Sequence, residues 1–282
     1  MGKKIEPFHN VVITLAISST KGGVGKTTSA INLAFSCAKR GWKTLLVDAD
    51  PQGSVGLSLS PTAQAHSGLY EIVAQSQSLN DVALRTKLDT LKIVMAGKIP
   101  SNEISKWCTS LQDGAVLGPF FKAAENEGFD LVIVDTPSGM HGPTEGILRS
   151  VSHVLVPQQC EPLALRSLMM TVDFLNQLQT EKGSACALVG VVLTMADANN
   201  AESKQIVEEI RNLLPPELVC QAVLPRDSSV IYASMKGMPL GLLRGGAAPP
   251  IAIIFDQLAA ELETKLGLPG SKQSDEYVSL VV

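Results

Sequence analysis

Lys21-Gly22-Gly23-Val24-Gly25-Lys26-Thr27-Thr28 is the stretch on which the reading of this chain turns. Before it, residues 11–18 are apolar and β-branched, the pattern of a strand buried on both faces. After it, residues 27–40 carry Ile31, Ala34, Phe35 and Ala38 at helical spacing and stop on Lys39, Arg40 and Gly41. A strand, a glycine-rich loop and the opening of a helix together make a phosphate cradle. The glycines let backbone N–H groups curl around an anion, and the helix N-terminus adds favourable partial charge. In such a cradle Lys26 reaches the β- and γ-phosphates and the Thr27 hydroxyl ligates Mg²⁺. The loop departs from G-x-x-x-x-G-K-[ST] at its first position, where Thr20 stands for glycine, and it adds a second lysine, Lys21.

Two acidic segments follow at strand ends. Val47-Asp48-Ala49-Asp50-Pro51-Gln52-Gly53 closes the strand at 44–47, and Val134-Asp135-Thr136-Pro137 closes the one at 131–134. Ligands of open parallel sheets bind beyond the carboxyl ends of the strands, so all three carboxylates are expected to face the phosphates. Asp135 suits a Walker B role, holding Mg²⁺ directly or through water. Asp48 and Asp50 lie two apart, so that one can touch the metal shell while the other positions the attacking water.

Working outward, strands are expected at 91–96, 151–156 and 188–193, with helices at 163–178 and 202–214 and one or two helices with loops within 54–90. Alternation of this kind predicts an α/β fold: a single, mostly parallel twisted sheet with helices on both faces, of the P-loop NTPase type. The last helix, 251–266, opens at Pro250 and closes at Gly267 and Pro269. Its polar face carries Asp256, Glu261 and Glu263 against Lys265, whereas a membrane-surface helix wants a cationic face, so packing on the domain is expected. The boundaries read as an N-terminal extension at 1–10, an ATPase domain at 11–267 and a tail at 268–282.

Composition bounds the rest. In 282 residues, 23 Lys+Arg against 27 Asp+Glu leave a net charge of −4, which excludes nucleic-acid binding by bulk positive charge but not by a local patch. The five cysteines are scattered without C-x-x-C spacing, so neither a zinc site nor a disulfide framework is expected, only buried thiols. No apolar run approaches the roughly 18 residues of a membrane span, and a cytoplasmic protein with no membrane partner is expected.

KGGVGKTT, then VDADPQGS, then the Asp135 strand closely resemble the ParA/MinD family of deviant Walker-A ATPases. The likeness continues in residues 155–165, in Leu193-Thr194-Met195-Ala196-Asp197 and in Leu224-Pro225-Arg226-Asp227, and DADPQGS favours the ParA side. The resemblance implies an ATP·Mg²⁺-dependent sandwich homodimer in which the signature lysine, here Lys21, reaches the partner subunit's phosphates. It implies that Lys21 and Asp50 are catalytic and that Thr27, Asp48 and Asp135 surround the metal. It further implies that Gly22, Gly23, Val24, Gly25, Lys26, Thr27 and Thr28 hold the nucleotide with Pro225 and Arg226. Non-specific duplex DNA, a ParB-like or cargo-adaptor activator, slow stimulated hydrolysis and a place on the nucleoid are the implied partners and setting.

The chain departs from the family pattern in two places. One proline rather than two follows Asp135, in Asp135-Thr136-Pro137-Ser138-Gly139, and Asp227-Ser228-Ser229 stands where the family often has another arginine. Between 161 and 250 there are seven basic and nine acidic residues, so DNA contact would rest on a few side chains, with Arg226, Lys236 and Arg244 as candidates. The alternatives are a membrane-associated MinD-like ATPase, disfavoured by the acidic last helix, and an ATP-dependent biosynthetic enzyme of the dethiobiotin-synthetase type. A reductase like the nitrogenase iron protein would need cluster cysteines after the Asp135 strand, and none is there. Thr194-Met195-Ala196-Asp197 lacks the lysine of a guanine-reading motif, which favours ATP over GTP.

Overall fold

The computed structural model describes residues 11–59, 65–243 and 248–268. In chain order it forms β1 (Ile13–Ile17), α1 (Lys26–Lys39), β2 (Thr44–Asp48), α2 (Ser54–Leu59), α3 (Leu69–Gln75), α4 (Leu79–Val82), β3 (Leu84–Arg85) and β4 (Leu91–Val94). Then come α5 (Ile104–Asp113), α6 (Leu117–Asn126), β5 (Leu131–Asp135), α7 (Pro143–Ser150), β6 (His153–Gln159), α8 (Ala164–Lys182) and β7 (Ala187–Ala196). The chain closes with α9 (Ala201–Leu213), β8 (Val219–Pro225), α10 (Ser228–Lys236) and α11 (Pro250–Lys265).

The strands join one sheet in the order β3-β4-β2-β5-β1-β6-β7-β8, parallel throughout except for the β3–β4 pair. The expected α/β sheet is therefore present. Side chains alternate between its faces: Leu15 and Ile17 of β1 enter one core with Leu131 and Ile133 of β5, while Ala16 enters the other with Val132 and Val134. A strand with both faces covered must be apolar at nearly every position, which is why β1 and β5 read as continuous hydrophobic runs. The sequence did not announce β8 or the helices α5, α6, α7 and α10. The described residues within 54–90 form the short helices α2, α3 and α4 and the two-residue β3, where one or two helices with loops were expected.

Close backbone approach accounts for Gly146. On α7, a Cβ added to Gly146 would meet the Leu111 carbonyl oxygen of α5 at 1.9 Å, so these helices touch only because the side chain is absent.

The polar face of α11 is spent on the domain, as its acidic character predicted. Asp256 accepts from Ser36 Oγ (2.7 Å) and Lys39 Nζ (3.2 Å), Arg40 pairs with Glu263, and Lys265 pairs with Glu261 at 3.0 Å. The extension at 1–10 and all of the tail but Leu268 lie outside the described residues.

Candidate active site

Gly25 caps α1 in the left-handed region (φ 90°, ψ 26°), and Gly23 has φ 76°, conformations that side chains resist. The turn they allow brings the first N–H groups of α1 to the rim of the loop. Val24 between them is buried, and its carbonyl accepts from Thr194 Oγ1 of β7 at 2.9 Å. Thr20, where glycine is usual, lies 3.1 Å from Thr171 Oγ1 and donates to the Ser167 carbonyl at 3.3 Å, tying the loop entrance to α8. Lys26 is buried, and its ammonium donates to Ser138 Oγ (3.2 Å) and the Lys21 carbonyl (3.4 Å). Burial lowers its pKa, while Asp135 and then Asp50 pull it back up.

The three carboxylates gather beside this loop with different tasks. Asp135, wholly buried at the end of β5, accepts from the Thr27 hydroxyl at 2.7 Å, and its Oδ1 is buried with no hydrogen-bond partner. Burial, then the neighbouring Asp48, push its carboxyl up to about 8. Asp48 is also wholly buried and is pushed up by burial to about 7, yet both its oxygens accept backbone N–H groups, from Asp50 at 3.2 Å and Val55 at 2.9 Å. Asp48 thus shapes the segment that carries Asp50. Asp50 folds that segment further, accepting from Gln52 N (2.9 Å) and Ser54 Oγ (3.3 Å).

These residues fit a hydrated Mg²⁺. An orphaned buried carboxylate oxygen beside a threonine hydroxyl is a donor set that this ion completes with water and substrate phosphates. No group of three His, Cys, Asp or Glu suited to a metal occurs among the described residues.

Beyond Gly25 and Thr28 a cavity of about 170 Å³ is walled by Met195, Leu224, Pro225, Val230 and Phe255, with Arg226 at its edge. An apolar slot adjoining a phosphate loop suits a flat base, and Pro225 and Arg226, which the resemblance assigns to the nucleotide, are among the residues that line it. Arg226 is exposed, and Lys236 sits at the far end of α10 with its ammonium 5.4 Å from the Tyr232 ring. The structure does not gather these two basic residues into one cluster, and Arg244 lies outside the described residues.

Lys21 is exposed on the loop, and its ammonium pairs with the Glu161 carboxylate. Sequence reasoning did not single out Glu161, Ser138 or Thr194 for a task. Each was visible only as a member of a quoted segment, and their contacts with Lys21, Lys26 and Val24 span 112 to 170 residues of chain.

Comparison with known proteins adds to this geometry. A family model described as "AAA domain" (AAA_31) matches residues 12–187. The "Chromosome partitioning protein ParA" of Caulobacter vibrioides (strain NA1000 / CB15N) is 32% identical over 234 residues, covering 82% of this chain and 87% of that protein. Among solved structures, an ATP complex of McdA from Cyanothece superposes with a TM-score of 0.74 at 20% identity, over 94% of this chain and 100% of that one. Cobyrinic acid a,c-diamide synthase from Mycobacterium smegmatis, with a bound ATP analogue and magnesium, superposes with a TM-score of 0.71 at 23% identity, over 94% and 100%. At such identities the two structures speak for the fold alone.

Proposed function

This chain belongs to the ParA family of P-loop ATPases, and we propose that it is a DNA-riding member. Two protomers close on ATP·Mg²⁺ into a sandwich dimer, hold duplex DNA without sequence preference, and thereby partition a plasmid or chromosome or position a cellular cargo. A ParB-like protein or cargo adaptor stimulates the slow hydrolysis that ends each cycle. The protein works in the cytoplasm, on the nucleoid.

The observation that carries this reading is the place of Lys21. Its side chain is 45% exposed and its partner Glu161 is 29% exposed. Such a surface pair contributes at most about 1 kcal/mol, so the lysine leaves it at little cost for a phosphate presented by a second protomer. Lys26 meanwhile serves the protomer's own phosphates from its buried place. When bound, Mg²⁺ would supply positive charge against the negative charge that develops on the phosphates. Thr27 and Asp135 hold it, with Asp48 behind them fixing the 50–55 segment. Asp50, at the head of that segment, orients the water for in-line attack. Loss of the γ-phosphate frees Lys21 and the segments that follow Asp48 and Asp135, and the dimer opens.

A membrane-bound working surface is disfavoured by α11, whose carboxylates are already paired with α1 and with Lys265. A biosynthetic role shares only the fold with the diamide synthase, while the Caulobacter vibrioides relative, at 32% identity, is a partitioning protein.

The test is binding of Asp50→Ala to random-sequence duplex DNA across a salt series, with ATP·Mg²⁺ and with ADP. ATP-dependent, salt-sensitive binding supports the proposal. A dimer that forms and binds no DNA in either state would remove the DNA step and leave a switch acting on another surface.

A further inference from the structure

We infer that Ser138 is a residue through which this ATPase tells ATP from ADP, its hydroxyl donating to a terminal oxygen of the γ-phosphate. The inference rests on the nucleotide site alone and holds whether or not the dimer binds DNA.

Three observations meet at this serine. Its Oγ lies 3.2 Å from the Lys26 ammonium, the group that grips the β- and γ-phosphates. In that contact the lysine is the donor, since an ammonium has protons and no lone pair. The serine's own proton is therefore uncommitted, and the hydroxyl has no other hydrogen-bond partner among the described residues. The ammonium carries three donors, so it can hold Ser138 and phosphate oxygens together.

Ser138 also overhangs the loop at Gly22. Its Oγ is 3.5 Å from where a Cβ on Gly22 would stand, and no side chain comes between them. The serine is exposed, although it follows the wholly buried Asp135 by only three residues.

The segment that bears it is built to carry a small movement. Thr144 Oγ1 donates to the Pro137 carbonyl at 3.3 Å, and Ser18 Oγ contacts the sulfur of the buried Met140 at 3.6 Å. Between and after these anchors, Gly139 (φ 90°) and Gly142 (φ 64°) occupy left-handed conformations. His141 packs edge-on against Phe174 of α8, with ring centroids 5.1 Å apart. A pull on Ser138 thus acts on an arc pinned to Ser18 just beyond β1, to the start of α7 and to α8. A proline at 138, like the second proline usual in the family, or an alanine, has no hydroxyl to be pulled.

The experiment compares wild type, Ser138→Ala and Ser138→Thr for binding of ADP·Mg²⁺ and of a slowly hydrolysed ATP analogue with Mg²⁺, by calorimetry. It also follows hydrogen exchange in the peptide spanning 136–142. A hydrogen bond to a charged oxygen predicts a loss of about tenfold or more in analogue affinity for Ser138→Ala. ADP affinity should stay within about twofold of wild type, because ADP lacks the accepting group. Ser138→Thr, which keeps the hydroxyl, should restore analogue binding. The analogue should slow exchange in 136–142 in wild type and not in Ser138→Ala.

Equal loss for both nucleotides would mean that Ser138 merely props up Lys26, and unchanged preference would mean that it touches no phosphate; either overturns the inference. A wild-type protein that held neither nucleotide would overturn the nucleotide site itself, a failure of a different kind.

Discussion

Asp48 and Asp135 are partners in register at the last positions of the adjoining parallel strands β2 and β5, and both are wholly buried. Two carboxylates so placed cannot both ionise cheaply without a cation. Only Asp135 has an oxygen left unpartnered, beside the Thr27 hydroxyl. Asp135→Asn is therefore expected to keep the fold and lose the magnesium dependence of nucleotide binding, weakening the affinity for Mg²⁺ at least about 100-fold. Titration of nucleotide binding with Mg²⁺ measures this directly. Near-normal Mg²⁺ affinity in the variant would assign the metal to another group.

Lys21→Ala should bind ATP as a monomer and fail to dimerise. Asp50→Ala should dimerise with ATP and stay closed, because its phosphates are gripped but not cleaved. Light scattering behind a sizing column, with ATP and with ADP, reads both outcomes. Normal ATP-dependent dimerisation of Lys21→Ala would show that this lysine does not cross to the partner.

If Arg226 and Lys236 touch DNA phosphates, substituting either with alanine should weaken binding uniformly across sequences and lower the slope of log K against log salt by about 1 each. Arg226 also lines the cavity beyond Gly25 and Thr28, so its variant needs a parallel measurement of ATP affinity. A slope untouched by both substitutions would send the search to other basic residues.

The thiols set a limit at high pH. Burial pushes Cys37, Cys186 and Cys220 up to about 12, from a model-compound value of 9.0. Unfolded thiols ionise near pH 9 and the folded ones do not, so the folded state holds more protons above that pH. The stability this represents is fully present below about pH 9 and lost as the pH rises towards 12. The slope is about 1.4 kcal/mol per pH unit for each thiol involved. Denaturant melts from pH 7 to 11 should show the fall, and Cys220→Ala should make it shallower. Alkylation of the native protein at neutral pH should be confined to Cys108, the one cysteine that is not buried.

Gly146→Ala is expected to destabilise the domain by about 1–3 kcal/mol or more, since the added methyl has backbone rather than a movable side chain in its way. Thermal unfolding would register the loss. A melting temperature equal to wild type would mean that α5 and α7 separate without cost.

How much of this was legible beforehand follows from the range over which each signal acts. The loop at 21–28 lies within eight residues and needs no distant contact to be recognised, because φ freedom at glycine and a helix start are local properties. The order of strands and loops likewise places Asp48, Asp50 and Asp135 beyond strand ends without any coordinates. Strand β8 was harder to see. Val219-Cys220-Gln221-Ala222-Val223 is short, and it becomes a strand by pairing with β7 and by contact with α11. Residues 54–90 hold too few apolar positions at regular spacing to state where each short helix starts.

The sequence by itself determined the chemical character of the site: a glycine-rich loop with two lysines at the start of a helix, carboxylates at strand ends, and a parallel, buried sheet between them. Only the tertiary structure decided how those charges divide the work. The Asp48 carboxylate is filled by its own loop, Asp135 keeps a free oxygen, Lys21 rests on Glu161 and Lys26 on Ser138. The last two pairs are 140 and 112 residues apart in the chain. Contacts of that span follow from strand order and packing, which no local pattern encodes, and so they emerge only when the chain is folded.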